Sequence, residues 1–384
     1  MSPDDGSGAT GRSRRASRNR VVVASCVLAL AAVGAIVVVA AERRDPPSAA
    51  LRGRELFTTR FTPGRGLGPL FNERSCAGCH FEPTVGGMGR HGLATVLRVG
   101  QLTPAGFDAM VGRGGPVAPE HAISELGSAC GRRGGIPAGV NVTSVRNAPP
   151  LFGSGLVDAI SDDAIRAGAV AKGDGVRGRP SIVRGPDGRA RVGRFGWKAH
   201  LPTLELFVAE AFRSELGLTS PIPAEVAATS KRVTAGPCAE KPSELGRDDL
   251  AAVTTFVASL APPAPQRSAP EGARVFEQAG CAACHTPVLE AGARGVRLYS
   301  DLLLHDMGRA LDDRVVQGSA AGSDWRTTPL WGLRDRVRFI HDGRARSVEA
   351  AILAHGGEAE RARQRFRSLT TEARRSLLTF LRTL

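Results

Sequence analysis

Ser75-Cys76-Ala77-Gly78-Cys79-His80 and Gly280-Cys281-Ala282-Ala283-Cys284-His285 are two copies of one pattern, Cys-x-x-Cys-His. Two thiols at this spacing can add across the two vinyl groups of one porphyrin. The histidine that follows turns beneath the ring to ligate iron. A zinc site would need further ligand pairs, and a thioredoxin-like pair has no use for the histidine. The two pentads therefore predict two covalently bound c-type haems. One is held by Cys76, Cys79 and His80, the other by Cys281, Cys284 and His285.

The surroundings repeat as well. Gly53-Arg54-Glu55-Leu56-Phe57 precedes the first motif and Gly272-Ala273-Arg274-Val275-Phe276 the second. Each copy closes on an amphipathic stretch, Leu250 to Leu260 and Arg374 to Leu384, apolar near i, i+3, i+4 and i+7. A proline-rich run from Ala261 to Pro270 separates the copies, and no helix continues through it. The expected body is mainly α, with two cytochrome-c-like haem domains. The first spans 51–262 and carries a long insertion, 263–269 is a linker, and the second spans 270–384. The 47 glycines and 25 prolines in 384 residues predict loop-rich insertions and short elements.

Ahead of this body, residues 1–20 carry five arginines (Arg12, Arg14, Arg15, Arg18 and Arg20), and Val21 to Ala41 carries no charge. That stretch reaches roughly 30 Å as a helix, the thickness of a bilayer's hydrocarbon core. One N-terminal transmembrane helix is expected there, followed by a linker at 42–50; a cleaved signal segment is the alternative. Arginines before the span place the body on the extracytoplasmic, periplasmic side. Export agrees with covalent haem attachment.

The net charge of +14 raises nucleic acid as a partner, but the basic residues are almost all arginine. Lys172, Lys198, Lys231 and Lys241 are the four lysines, and no aromatic-studded basic patch accompanies the arginines. No nucleic acid is expected. Arginines suit haem propionates and an acidic redox partner instead. Four of the seven cysteines serve haem and Cys26 lies in the apolar span. An oxidising compartment permits a disulfide between the remaining Cys130 and Cys238, though their spacing does not fix their distance.

Four further segments carry a resemblance. They are GLGPLFNERSCAGCHFEPTVGG (66–87), GRFGWKAHLPTLELFVAEAFRSELGLTS (193–220), LYSDLLLHDMG (298–308), and the stretch from Trp325 through RTTPLWGL to HDGRARSVEAAILAHGGEA, ending at Ala359. With both motifs they resemble the bacterial di-haem cytochrome c peroxidase superfamily, in its di-haem oxidoreductase branch, over nearly all of 51–384. The resemblance implies one electron-transfer haem and one haem with a vacant or displaceable position. It implies a distal ligand to the second haem about fourteen residues after the His-Asp-Gly turn at His341, which is His355. Met307 is the rival ligand, and His305 and His341 read as structural turn histidines. Trp197 falls where the family has a tryptophan between the haems. At the family's distal glutamine the best match is the apolar Phe207, and the distal acid falls to Glu215 or Glu210. His91, in the glycine-flanked loop after the first motif, reads as a cap on the first haem or as a surface histidine. Calcium between the domains is a further family property, but no loop here has a dense carboxylate pattern.

The activity so implied is reduction of hydrogen peroxide at the first haem, with electrons passed through the second from a small redox protein or a quinol-linked donor. Two alternatives stay open. One is a membrane-tethered electron carrier without a substrate. The other is an oxygenase or protein-oxidising enzyme that uses oxygen.

Overall fold

Short elements dominate the residues that this computed structural model describes, which are 48–222, 235–241, 243–292 and 294–384. The helices are α1 (Ser48–Thr58), α2 (Cys76–Cys79), α3 (Ser154–Asp158), α4 (Asp162–Ala167), α5 (Leu204–Glu215), α6 (Arg247–Ser259), α7 (Pro270–Gln278), α8 (Val348–Ala354), α9 (Glu360–Ser368) and α10 (Thr371–Leu381). β1 (Leu70–Phe71) precedes α2, and between α2 and α3 lie β2 (Thr95–Thr103), β3 (Gly106–Asp108), β4 (Val117–Ala118), β5 (His121–Ala122) and β6 (Val142–Asn147). The hairpins β7 (Ser181–Arg184) with β8 (Ala190–Gly193), β9 (Leu289–Ala291) with β10 (Arg294–Val296), and β11 (Leu304–Asp306) with β12 (Asp324–Arg326) complete the set.

The mainly α expectation is corrected here. Of the described residues 34% are helical and 17% are in strands or bridges, spread over several small antiparallel sheets. The largest is built on β2, which pairs with β3, β4 and β6. Its β6 partner places Arg146 opposite Val96 and Ser144 opposite Arg98, so these four side chains share one face. The expected transmembrane helix is not among the described elements either. Among the described residues no helix is long and apolar enough to cross a membrane, and 21–41 lies outside them.

The repeat seen in sequence is a repeat in packing. In the first copy α1 crosses α6 so closely that a Cβ on Gly53 would stand 2.0 Å from the Ala252 carbonyl oxygen. In the second, α7 crosses α10, and a Cβ on Gly272 would stand 2.1 Å from the Ser376 carbonyl oxygen. Four residues after each glycine a phenylalanine fills the core. Phe57 meets Phe256 edge-on at 5.3 Å, and Phe276 meets Phe380 at 5.5 Å. Around these crossings sit two apolar clusters. One includes Phe57, Leu204, Phe212 and Phe256, the other Val275, Phe276, Phe366 and Leu377. Each cluster backs one Cys-x-x-Cys-His motif. Cys130 and Cys238, 108 residues apart, form a disulfide at the edge of the first cluster.

Candidate functional site

Each motif begins as a short turn of helix that aims its histidine into a cavity. In α2 the Ser75 side chain caps the Gly78 amide, and the turn ends at His80. The His80 ring sets Nδ1 3.1 Å from the Gly87 carbonyl oxygen. With Nδ1 donating, the Nε2 lone pair is left for a metal. The second motif repeats this arrangement, with His285 Nδ1 2.9 Å from the Tyr299 carbonyl oxygen. Burial keeps both imidazoles neutral, as a ligand must be. It holds His80 below the usual histidine range and takes His285 down to about 4, where His355 adds to the effect. Cys76, Cys79, Cys281 and Cys284 take no part in a disulfide.

The two cavities differ. His355, just after α8, sets its Nδ1 2.7 Å from the Ala351 carbonyl oxygen and turns its ring toward His285. The two ring centroids lie 6.5 Å apart. Two imidazoles on opposite axial positions of one metal stand about 6.3 Å apart by centroid, given metal–nitrogen bonds of about 2.0 Å. The second cavity is thus shaped for a metal between two histidines. Met307 lines the same cavity. His305 is buried beside it in an ion network, with Nε2 3.1 Å from Asp301 and Nδ1 2.8 Å from Glu358. Burial works against its charge, but Asp301, Cys284 and Glu358 push its pKa up to about 11.

The first cavity holds His80 and Cys79 but faces them with a wall of another kind. Helix α5 contributes Phe207, Glu210, Ala211, Ser214 and Glu215. Phe207 stacks on Phe195 with centroids 5.5 Å apart, so the expected position of a polar distal residue is filled by an apolar pair. Glu215 accepts from Asn72 Nδ2 at 3.2 Å and from Ser214 Oγ at 3.0 Å. Burial still pushes its carboxyl up to about 7. Glu210 behaves oppositely. Burial works to raise its pKa, but His200 and Arg98 hold it below the usual carboxylate range. His91 is exposed, in a left-handed conformation at φ 51°, and lines a separate cleft with Glu82 and Arg338.

A thin septum divides the cavities. Asn147 to Pro150, Trp197, Arg326, Thr328 and Arg336 line both. Trp197 donates Nε1–H to the Asn147 carbonyl at 3.0 Å and meets His341 edge-on at 6.5 Å. His341 stacks on Trp325 at 3.8 Å, and the far side of this stack is cationic. Lys198 Nζ and the Arg146 guanidinium lie 4.1 and 4.5 Å from the Trp325 centroid. Both cations pair with Asp313.

Do these residues fit two haems? The donor set does: paired thiols, buried imidazoles whose Nδ1 atoms are held by backbone carbonyls, and two cavities against apolar clusters. The septum adds an independent observation. The Arg326 guanidinium hydrogen-bonds to the carbonyl oxygens of Gly196 and Thr327, and that of Arg336 to those of Pro329 and Trp331. Arg336 Nε is buried with no partner. Burial takes both guanidinium pKa values down to about 10, and among the described residues neither arginine shows an ion pair with a carboxylate. Two enclosed cations that face both cavities without an acid suit the propionates of porphyrins.

Sequence reasoning singled out Cys79, His80, Phe207, Glu210 and Glu215, which line the first cavity, Cys281, Cys284, His285, Met307 and His355, which line the second, and Trp197, which lines both. It missed Arg98, His200, Gln317, Arg326 and Arg336. His200, Arg326 and Arg336 lie within or beside quoted segments, but nothing in their spacing marks them as cavity residues.

Residues 139–384 match the model of a family described as "Di-haem oxidoreductase, putative peroxidase". No curated protein sequence matches the chain. Among solved structures the chain is similar to the diheme peroxidase BthA from Burkholderia thailandensis E264, at 17% identity, covering 89% of this chain and 86% of that one, with a TM-score of 0.41. It is similar to a MauG-like protein associated with microbial copper homeostasis, at 16% identity, 88% and 90% coverage and a TM-score of 0.40. A third likeness is to hydrazine synthase of Kuenenia stuttgartiensis, at 13% identity, 97% and 100% coverage and a TM-score of 0.39.

Proposed function

We propose, from the premise that this chain belongs to the di-haem oxidoreductase family and is an oxidoreductase carrying two c-type haems, that it reduces hydrogen peroxide at the His80 site with electrons admitted at the His285 site. The observation that carries this reading is the asymmetry of the cavities. One has a second histidine, with its ring centroid 6.5 Å from that of the first. The other holds His80 together with α5 side chains and with His200, whose Nε2 is taken by Glu210. A haem held by two histidines would suit electron transfer, whereas one held by a single histidine would leave room for a substrate.

Cys76, Cys79 and His80 would hold the first haem and Cys281, Cys284, His285 and His355 the second, with Met307 as the rival to His355. When bound, the haems supply one-electron redox chemistry and, at the first site, an iron that accepts peroxide. The chain supplies the rest. Reducing one peroxide to two waters takes two electrons and two protons. Glu215, uncharged up to about neutral pH, holds a proton for the leaving oxygen. Trp197 stands in the septum where an electron has to cross, and Phe207 and Phe195 keep water from that part of the wall. The division into haem domains at 51–262 and 270–384 is part of this proposal. So is an extracytoplasmic location, supported by the Cys130–Cys238 disulfide and by haem attachment through thioethers. The electron donor is a small redox protein or a quinol-linked carrier.

Steady-state peroxide consumption by the purified body, with a reduced small cytochrome or dye as donor, tests the reading. Turnover well above that of free haem, and its loss in Glu215→Gln, is the expected result. Two low-spin, six-coordinate haems in every redox state would instead mark an electron carrier. Turnover with oxygen but none with peroxide would mark an oxidase of other substrates.

A further inference from the structure

The wall of the first cavity holds a polar group that the peroxidase reading leaves unused. Arg98 comes from β2, His200 from the turn before α5, Glu210 from α5 and Gln317 from the loop ahead of β12. The side chains of Arg98, His200 and Glu210 are 11%, 5% and 6% exposed. His200 Nε2 lies 2.7 Å from Glu210 Oε2, and Arg98 Nη2 donates to Glu210 Oε1 at 3.2 Å. With the Gln317 amide turned oxygen-inward, that oxygen stands 2.9 and 3.0 Å from His200 Nε2 and Nδ1, and 3.0 and 3.3 Å from Arg98 Nη2 and Nη1.

A buried ion cluster is weak evidence for stability, because desolvating the charges offsets most of their attraction. Its position needs another reason. All four residues line the cavity that also holds His80. Arg98 has five N–H donors, more than Glu210 and Gln317 take up. Phe207 is apolar, so polar chemistry in this cavity has to come from elsewhere in its wall. We propose that Arg98 and the His200–Glu210 pair form an anion-receiving, proton-holding wall for the ligand of the first haem. The ligand class is the small weak acid HX, of which hydrogen peroxide is one member. The step balances as a proton transfer. The H–X bond breaks, its proton passes to the hydrogen-bonded His200–Glu210 pair, and X⁻ remains in the cavity with Arg98 as hydrogen-bond donor. Glu210 acts as a positioning residue, orienting the imidazole. The inference rests on the reading that the first haem has an open position.

Cyanide and fluoride titrations of the purified ferric di-haem protein, followed by absorption and EPR, test it without turnover. Cyanide enters as HCN and needs a proton acceptor; bound fluoride needs a donor. Arg98→Met should weaken fluoride binding about tenfold or more, as expected for loss of a hydrogen bond from a charged donor, and Arg98→Lys should restore part of it. His200→Gln should slow cyanide association about tenfold, and Glu210→Gln should do so to a smaller degree. An unchanged low-spin signal from the His285 site reports that each variant is folded. If wild type binds both ligands and the variants bind them equally well, the inference falls and the open-position reading stands. If wild type binds neither ligand, both fall together.

Discussion

His285 and His355 face one another with ring centroids 6.5 Å apart and planes 50° apart. Each has its Nδ1 tied to a backbone carbonyl. Neither ring can turn away without giving up that hydrogen bond, so the pair is preorganised for one metal between them. His355→Ala should convert the low-spin spectrum of the second haem to a high-spin one. His355→Met should raise its midpoint potential by on the order of 0.1 V, within the range of ~0.8 V that axial ligands span. A low-spin spectrum retained in His355→Ala but lost in Met307→Ala would hand the ligand role to Met307.

Glu215 gives the pH dependence. Its carboxyl is pushed up to about 7 by burial, so the donor form is populated below that pH and lost above it. The value of kcat/KM for peroxide should be level up to about pH 7 and fall about tenfold per unit beyond it. Glu215→Gln should abolish this limb and lower the plateau by about a hundredfold. The sign for folding is the same. The raised pKa contributes stability that is full below the ordinary carboxyl value of 4.5 and lost as pH rises through about 7. A profile that falls with the same midpoint in Glu215→Gln would show that another group sets it.

Cys130 and Cys238 close a loop of 108 residues. Chain-entropy arguments put the stabilisation from a loop this long at about 4–5 kcal/mol. Cys130→Ser should lower the denaturant midpoint accordingly, and the double serine variant should go no lower than either single one. The measurement is urea unfolding followed by haem absorbance, with and without reductant.

Arg326 and Arg336 should affect both haems at once. Removing a fixed positive charge near an iron favours its ferric form, so Arg326→Gln and Arg336→Gln should each lower both midpoint potentials. The expected size is on the order of tens of millivolts for an effective dielectric constant of about 20. Spectroelectrochemical titration resolves the two haems. A shift confined to one would place the guanidinium in one cavity only.

Some of this could be read from the chain and some could not. The motifs are local, so they were legible. The Gly53 and Gly272 repeat was legible too, because each glycine stands at the closest crossing of two helices and tolerates no replacement. The strand content was not. Strands such as Leu70–Phe71 and Val117–Ala118 are two residues long and have no period to detect. His355 could be reached only through family resemblance, because nothing in VEAAILAHGG by itself points to a metal. The polar wall of the first cavity was beyond reach. Arg98 and Gln317 are ordinary surface-type residues in sequence, and only the tertiary fold brings them together with His200 and Glu210.

The septum shared by the cavities bears on how the protein is made. Asn147 to Pro150, Trp197, Arg326 and Arg336 form a wall for each cavity, so neither cavity is complete until that partition is in place. Attaching the first porphyrin therefore builds one side of the receptacle for the second. Maturation should run close to all-or-none, with one-haem chains scarce and prone to degradation. Replacing either Cys-x-x-Cys-His motif should deplete both haems from the purified product rather than one.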